Sequence, residues 1–159
     1  ITFHEIITAA FLLEASRTKA DINILEAGLF FRLDASNVLD NNIASVVSSI
    51  GLDHKDFLKE GTIDEIIFEK CSHLLNGSKI IVSKQSSKEI MDKIKKNISS
   101  NSSEKIIFGE DFNYEITDKG FNFIDKSGSC AFPRPNLMGE HQFANISTAI
   151  STAGDVGNI

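Results

Sequence analysis

Two polar side chains follow the ends of two predicted strands. Glu26 comes after the run at residues 22–25, and His54 follows the run at residues 43–50 by four positions. Ligands of open α/β sheets gather at the carboxyl ends of the strands, where a carboxylate and an imidazole could hold a divalent cation. The spacing meets no ligand rule, however, so a helix cap at Glu26 and an ordinary loop histidine at His54 also explain it. The spacing alone favours this second interpretation.

Lys70 is a charged residue on the apolar stripe of a predicted helix, four residues after Ile66 and four before Leu74. Its alkyl stem could pack against the core while the ammonium reaches solvent. Alternatively, an amine held in a partly dry site could react in its neutral form. A neutral amine takes up carbon dioxide to give a carbamate, an anion able to bind a metal. Periodicity alone favours the lysine that reaches solvent.

His141 and Asn145 lie one turn apart on the same face of the last predicted helix, just after Gly139. The free N–H groups of a helix N-terminus favour polar or anionic ligands. The asparagine amide both donates and accepts hydrogen bonds, which matches the edge of an adenine. The alternative is an ordinary polar face after a glycine turn, and the spacing alone favours that alternative.

The elements that would position these residues alternate between helix and strand over the first hundred residues. Apolar residues at spacings of three and four predict helices over residues 2–18, from Thr62, after Ser86 or Ser87, and over residues 140–153. Thr62 and Glu65 form a capping box. Short runs rich in β-branched residues predict strands over residues 21–27, 43–50 and 79–83.

Beyond the polar loop at residues 99–103 the apolar period changes to two. This predicts a meander of short antiparallel strands, which contains Ile106, Phe108, Phe112, Tyr114, Ile116, Phe121 and Phe123. The predicted fold class is α/β: a mostly parallel sheet with flanking helices, plus a small antiparallel β meander.

Composition limits the class of protein. The length of 159 residues suits about one domain, and the formal net charge of −6 argues against a nucleic-acid partner. The longest apolar runs, such as residues 9–13, are too short to cross a bilayer, so we expect no membrane partner. The start of the chain lacks a charged region followed by an apolar one, so we expect no signal peptide. Cys71 and Cys130 stand alone without a CxxC motif, as expected of reduced thiols in a cytoplasmic protein. No GxxxxGKS or GxxxxGKT loop is present to hold phosphates.

Several segments together resemble the folylpolyglutamate synthases and dihydrofolate synthases, which are Mur-ligase-like ATP-dependent ligases. Residues 25–38, LEAGLFFRLDASNV, resemble the family's LEVGLGGRLDATNV signature. Residues 48–58 and 61–70, SSIGLDHKDFL and GTIDEIIFEK, resemble its SIGLDHxxxLGxTxxxIAxEK segment. Residues 137–150, LMGEHQFANISTAI, resemble its GLxGxHQxxNAxxAI segment, and residues 1–11, ITFHEIITAAF, its LTxFExxTAxAF helix. The matches occur in family order and span nearly the whole chain.

The resemblance implies the central ATPase domain of such a ligase, without the P-loop portion that precedes the TxFE helix and without the C-terminal glutamate-binding domain. We therefore expect residues 1–159 alone to be inactive. The family couples glutamate to a folate or dihydropteroate carboxylate: ATP phosphorylates the carboxylate, and the amine of glutamate attacks the acyl phosphate. The implied cofactors are ATP and Mg²⁺, and the implied partners are these substrates. A monomer in the cytoplasm is expected.

The resemblance also implies roles for residues that match the family's motifs. Glu26 and His54 match its magnesium ligands, and Lys70 matches its carbamylated lysine, so Lys70 and His54 are the implied catalytic residues. Asp34 and Ala35 match positions that contact the pterin. The segment that contacts the nucleotide is matched by His141, Gln142 and Asn145.

The sequence departs from the family pattern at three places. Phe30 and Phe31 replace the Gly-Gly pair of the signature, one extra residue lengthens the loop at residues 58–62, and residues 71–73 read CSH instead of AGI. Two other interpretations follow: a degenerate or truncated remnant that catalyses nothing, and, ranked lower because of residues 25–38, a Mur-type cell-wall ligase domain.

Overall fold

The computed structural model describes residues 1–157, which form two compact units. The first unit comprises Ile1–Asp40 and Leu52–His73, and the second comprises Asn41–Gly51 and the chain from Leu74 onward. In the part of the chain that the structure describes, no helix has the length and apolar character needed to cross a membrane.

The first unit contains α1 (Phe3–Ala15), a short 3₁₀ helix (Lys55–Phe57) and α2 (Ile63–Cys71). The predicted N-terminal helix is thus confirmed, and a capping box starts it: Thr2 Oγ1 accepts from Glu5 N–H at 3.2 Å, and Glu5 accepts from Thr2 N–H at 2.6 Å. The apolar stripe of α1 is largely exposed, with Phe3 78% accessible, and Thr8 is the buried residue of the helix. Spacing predicts the helix but not what covers its apolar face.

The capping box predicted at Thr62 forms only in part. Thr62 Oγ1 accepts from Glu65 N–H at 3.2 Å, but the Glu65 carboxylate accepts from the N–H groups of Lys59, Glu60 and Gly61 at 2.8–3.0 Å. The hydrogen bond from Glu60 is the largest cause that lowers the pKa of Glu65. This carboxylate therefore holds the loop that carries the extra residue.

The strand predicted over residues 21–27 is wrong. No described residue forms a β ladder with this segment, and Ile22 and Ile24 are exposed, Ile24 to 86%. A β-branched run becomes a strand only where a neighbouring backbone satisfies its N–H and C=O groups and its side chains are covered. The placement of Glu26 at a strand end is wrong for the same reason.

The second unit contains the predicted parallel sheet, formed by β1 (Ala44–Val47), β2 (Lys79–Val82) and β3 (Glu104–Ile107) in the order β1-β2-β3. Helix α3 (Lys88–Asn97) connects β2 to β3, and Ser87 caps it by accepting from Ile90 N–H at 3.3 Å. Ile106 pairs with Ile81 of β2, so its assignment to the meander is wrong. Alternation alone does not distinguish a parallel edge strand from the first strand of a meander.

The meander consists of β4 (Phe112–Thr117), β5 (Gly120–Asp125) and β6 (Gly128–Pro133), and α4 (His141–Val156) follows it. The core of this unit joins both sheets and α4, and its buried members are Ile81, Ile106, Phe112, Phe121, Phe123 and Phe143. Thr148 donates to Ser83 Oγ at 2.7 Å in the interior and so fixes α4 to the chain just after β2. The α/β fold class is confirmed.

Candidate functional site

The loop at residues 28–37, called the Phe30 loop below, is built around the carboxylate of Asp34. One oxygen accepts from the N–H groups of Gly28 and Leu29 at 3.1 and 2.8 Å. The other accepts from Ser36 N–H at 2.9 Å and Ser36 Oγ at 2.7 Å. Burial acts to raise the pKa of Asp34, but these hydrogen bonds outweigh it and hold the pKa at about 2. Asp34 is therefore an ionised carboxylate, 3% exposed, that fixes the loop.

Helix α1 meets the Phe30 loop at His4. The His4 ring nitrogen Nε2 lies 3.5 Å from Asp34 Oδ1, and a Cβ on Gly28 would stand 2.6 Å from the His4 ring. Only glycine fits at position 28 without displacing the imidazole. The glycine of the LEAG sequence thus has a packing role between α1 and the loop.

Arg32 ties the far end of the Phe30 loop to α2. Its guanidinium donates to both oxygens of Glu69 at 2.8–3.0 Å, and its backbone N–H donates to the Glu69 carbonyl at 2.9 Å. Two-point pairing of this kind fixes orientation as well as distance. Because Glu69 directly precedes Lys70, the pair sets the position of the loop relative to that lysine.

Phe30 contacts two of the three predicted metal-site residues. Its ring centroid lies 6.1 Å from that of His54, edge to face at 84°, and Lys70 Nζ lies over the ring at 5.8 Å from the centroid. Lys70 is half-buried, and its neighbours Ile66 and Ile67 on the helix are buried, as the predicted stripe requires. The structure therefore places His54 and Lys70 around a single aromatic ring.

His54 is an accessible imidazole on a constrained backbone. It is 44% exposed, has a left-handed backbone with φ 53°, and lies with Nε2 3.4 Å from Asp53 Oδ2. Glu26 is exposed and forms no hydrogen bond or ion pair with any of residues 1–157. The structure thus brings His54 and Lys70 to a common neighbour and shows no contact between Glu26 and either of them.

The donor chemistry of these residues suits a divalent cation. Within residues 1–157, no group of three or more His, Cys, Asp and Glu side chains is placed to hold a metal ion. Taken one by one, Glu26 offers carboxylate oxygens, His54 an accessible ring nitrogen, and Lys70 would offer oxygens as a carbamate. The residues fit Mg²⁺ by type, with Phe30 beside two of them.

The second candidate site lies at the start of α4. His141, Gln142 and Asn145 form a hydrogen-bonded chain: Gln142 Nε2 lies 3.0 Å from His141 Nε2, and Asn145 Nδ2 donates to Gln142 Oε1 at 3.1 Å. Gly139 precedes them with φ +109°, and a Cβ there would stand 2.5 Å from the His141 ring. Glycine at this turn lets the imidazole lie against the backbone.

A shallow pocket of about 350 Å³ opens beside this segment. Residues 134–140 and Phe143 line it, and the Arg134 guanidinium lies over the Phe143 ring at 5.6 Å from its centroid. The pocket offers a ligand both the Arg134 guanidinium over an aromatic ring and the Glu140 carboxylate.

Sequence reasoning missed His4, Arg32, Glu69 and Arg134. Arg32 and Glu69 are opposite charges 37 positions apart, and no local period links them. What could have indicated them is that Arg32 lies in the segment at residues 25–38 and Glu69 in the segment at residues 61–70, which both resemble family motifs. For Arg134 the signal was a cation close to the motif at residues 137–150.

The profile of the Mur ligase middle domain family matches residues 2–153, and the chain belongs to this family. Its relatives within the family are folate enzymes. Dihydrofolate synthase/folylpolyglutamate synthase of Bacillus subtilis is 30% identical over 96% of this chain, and that of Escherichia coli is 30% identical over 97%. The chain spans about a third of the length of these relatives, 36% and 35% respectively. The chain is thus similar to folylpolyglutamate and dihydrofolate synthases, the family that the motifs resemble.

Solved structures show a similar relation. The E. coli FolC complex with DHPP and ADP is 30% identical and superposes with a TM-score of 0.83 over 99% of this chain and 36% of that chain. The apo form of L. casei FPGS is 23% identical, with a TM-score of 0.87 over 99% of this chain and 39% of that chain, which shows the shared fold.

Proposed function

We propose that this chain is the central ATPase domain of a ligase that couples glutamate to a folate or dihydropteroate carboxylate. In the proposed reaction a carboxylate oxygen of the folate attacks the γ-phosphorus of ATP, and ADP leaves. The amine of glutamate then attacks the acyl carbon, loses a proton, and expels inorganic phosphate, so that an amide forms.

The observation that carries the proposal is the linked set His141, Gln142 and Asn145 beside the pocket at residues 134–140. Asn145 presents an amide at the exposed start of α4, and an amide can pair with an adenine edge. Arg134 over Phe143 adds a cation on an aromatic surface at the same pocket. A relative of the same fold, E. coli FolC, is described in complex with ADP, which supports nucleotide binding by the proposed ligase.

The residues proposed to hold Mg²⁺ are Glu26, His54 and Lys70, the last as a carbamate. When bound, the ion would offset negative charge on the phosphoryl group. His54 contributes an accessible ring nitrogen, with its backbone fixed in the left-handed region. Lys70 contributes a half-buried stem that holds its terminal atoms beside the Phe30 loop.

The turn at Asp34 and Ala35 is the proposed pterin contact. Both carboxylate oxygens of Asp34 already accept hydrogen bonds from within the loop, so Asp34 acts by fixing the backbone that presents Ala35. The relation to E. coli FolC, described with DHPP, supports a pterin-type substrate for the full protein.

Nucleotide binding tests the proposal directly. Calorimetric titration of ADP into the complete ligase that contains this domain should show binding. Asn145→Ala should weaken the affinity for ADP by about tenfold, the effect of one amide–adenine pair. Asn113→Ala, which changes an exposed asparagine on β4, is the matched control and should leave the affinity unchanged. An Asn145→Ala variant that binds ADP as tightly as the parent would contradict the assigned site.

The second candidate function is a non-catalytic relative of these ligases. The contact of the Phe30 ring with His54 and Lys70 favours it, because the family pattern has glycine at this position. Such a protein would bind nucleotide without forming ADP in the presence of folate and glutamate. A Mur-type cell-wall ligase ranks lower, since residues 25–38 carry the folate-branch signature.

A further inference from the structure

Phe30 is a large side chain on a backbone conformation that favours glycine. Its φ is +57°, in the left-handed region, which strains the backbone of a residue with a bulky side chain. In this conformation the Phe30 ring lies edge to face with the His54 ring, and the Lys70 amine lies over its face. The chain tolerates strain at this position while the ring occupies the space between these contacts.

The Phe30 loop is fixed on both sides of this ring. On one side Leu29 N–H donates to Asp34 at 2.8 Å, and on the other Arg32 forms its two-point pair with Glu69. A rigid backbone cannot swing the ring away without breaking these hydrogen bonds. The ring therefore stays at His54 and Lys70 unless its own side-chain torsions change.

An aromatic ring in this place competes with a bound cation for space. Magnesium needs its ligand atoms at about 2.1 Å in near-octahedral geometry, and usually keeps several waters. The Phe30 ring offers no donor atom to the ion, yet it contacts both the imidazole and the amine. Ligand waters on an ion held by His54 and Lys70 would meet the face or edge of the ring.

We propose that Phe30 is an occluding residue that limits the access of divalent cations to His54 and Lys70. The proposal rests on the proposed function, because it takes His54 and the carbamate of Lys70 as ligands of the ion. In this proposal the Phe30 side chain, which donates nothing to the ion, limits the affinity of the site for the metal. Replacing the ring by a small residue should open the site without altering any donor.

The test is a titration of Mn²⁺ into the complete ligase that contains this domain, in buffer with bicarbonate so that the Lys70 carbamate can form, with free Mn²⁺ measured by electron paramagnetic resonance. Phe30→Gly and Phe30→Ala both remove the ring, whereas only glycine also relieves the positive φ. Both should raise the Mn²⁺ affinity by about tenfold or more, the size of effects from groups that surround metal ligands. Phe31→Ala removes the neighbouring ring, which makes no ring contact with His54 or a described lysine, and should change nothing. Circular dichroism confirms that each variant is folded.

The ligand assignment is tested in the opened site. In a Phe30→Gly background, His54→Ala should remove the gained affinity, which shows that the new binding is at His54. An increase with glycine but not with alanine would overturn the proposal, since relief of the backbone would then be the cause. Unchanged Mn²⁺ affinity in both folded variants would overturn it too.

Failure of the occlusion and failure of the proposed function give different results. If the parent already binds Mn²⁺ tightly through His54 and the Phe30 variants have the same Mn²⁺ affinity, the metal site is supported and the occlusion by Phe30 is wrong. If no variant binds Mn²⁺ while ADP still binds at Asn145, both the metal assignment and the occlusion fall, and the nucleotide site remains.

Discussion

The Phe30 loop and the start of α4 carry the two candidate sites, and they are built in opposite ways. In the Phe30 loop a nearly inaccessible carboxylate, Asp34, collects four hydrogen bonds, and Arg32 reaches 37 residues along the chain to Glu69. At the start of α4 the candidate residues are largely exposed and bond to one another within four positions. The candidate residues of the first site thus hold its backbone through many hydrogen bonds, while those of the second are more accessible to a ligand.

The largest effect should come from Asp34→Ala. The change leaves backbone N–H groups of Gly28, Leu29 and Ser36 without their acceptor in a part-buried loop, at a cost of about 3 kcal/mol of the free energy of unfolding. Urea unfolding measures it. Asp34→Asn keeps one acceptor oxygen and should lose less; equal stability of the parent and Asp34→Ala would show that the loop is held by other contacts.

Acid should weaken the same loop. The pKa of Asp34 in the folded protein is about 2, below the ordinary 3.8, so the folded state favours the ionised form. The stabilisation is complete above pH 4, and it is lost as the pH falls from about 4 towards 2, amounting to about 2 kcal/mol. Free energies of unfolding measured between pH 6 and 2 should show this loss. In the Asp34→Asn variant the free energy of unfolding should fall less steeply below pH 4. If the free energy of unfolding fell equally steeply with pH in the parent and in Asp34→Asn, the acid sensitivity would not come from Asp34.

Arg32→Ala should destabilise the protein less than Asp34→Ala, because the Arg32–Glu69 pair is partly exposed. The change should also loosen the loop beside Lys70, so the nuclear magnetic resonance signals of the His54 ring should shift as the Phe30 ring moves. Arg32→Lys keeps the charge without the two-point geometry and should fall between the two. An unshifted His54 signal in Arg32→Ala would show that the pair does not position Phe30.

Gly139→Ala tests the α4 site and should have the smallest effect. The φ of +109° and the His141 ring both oppose a Cβ, which should cost about 1 kcal/mol. Gly154→Ala is the control, because a Cβ at Gly154 in α4 meets open space and alanine suits a helix. Thermal unfolding compares the two; a Gly139→Ala variant as stable as the parent would mean that the turn adapts.

Elements with a strong apolar period were predictable from sequence. The strand at Lys79–Val82 and the helix at Lys88–Asn97 are covered on their apolar sides, so periodicity and caps were enough. Residues 21–27 have the composition of a strand but no backbone partner among the described residues, and composition cannot supply one. Ile106 failed similarly, because alternation does not reveal which sheet a strand joins.

The candidate site was predictable only where a motif carried it. Lys70 lies on a stripe whose periodicity is visible, and the structure places it on the half-buried side of α2. The contacts that surround it, from Phe30 and through the Arg32–Glu69 pair, join distant parts of the chain. Such pairings depend on tertiary structure and leave no period in the sequence.

The proposed ligase activity is tested most directly by ADP formation, in the presence of ATP and Mg²⁺, with the complete ligase that contains this domain. ADP should appear only when both glutamate and a folate or dihydropteroate are present, in equal amount to the amide formed. ADP formed at the same rate without either substrate, or no ADP from a folded protein that binds the nucleotide, would contradict a folate ligase.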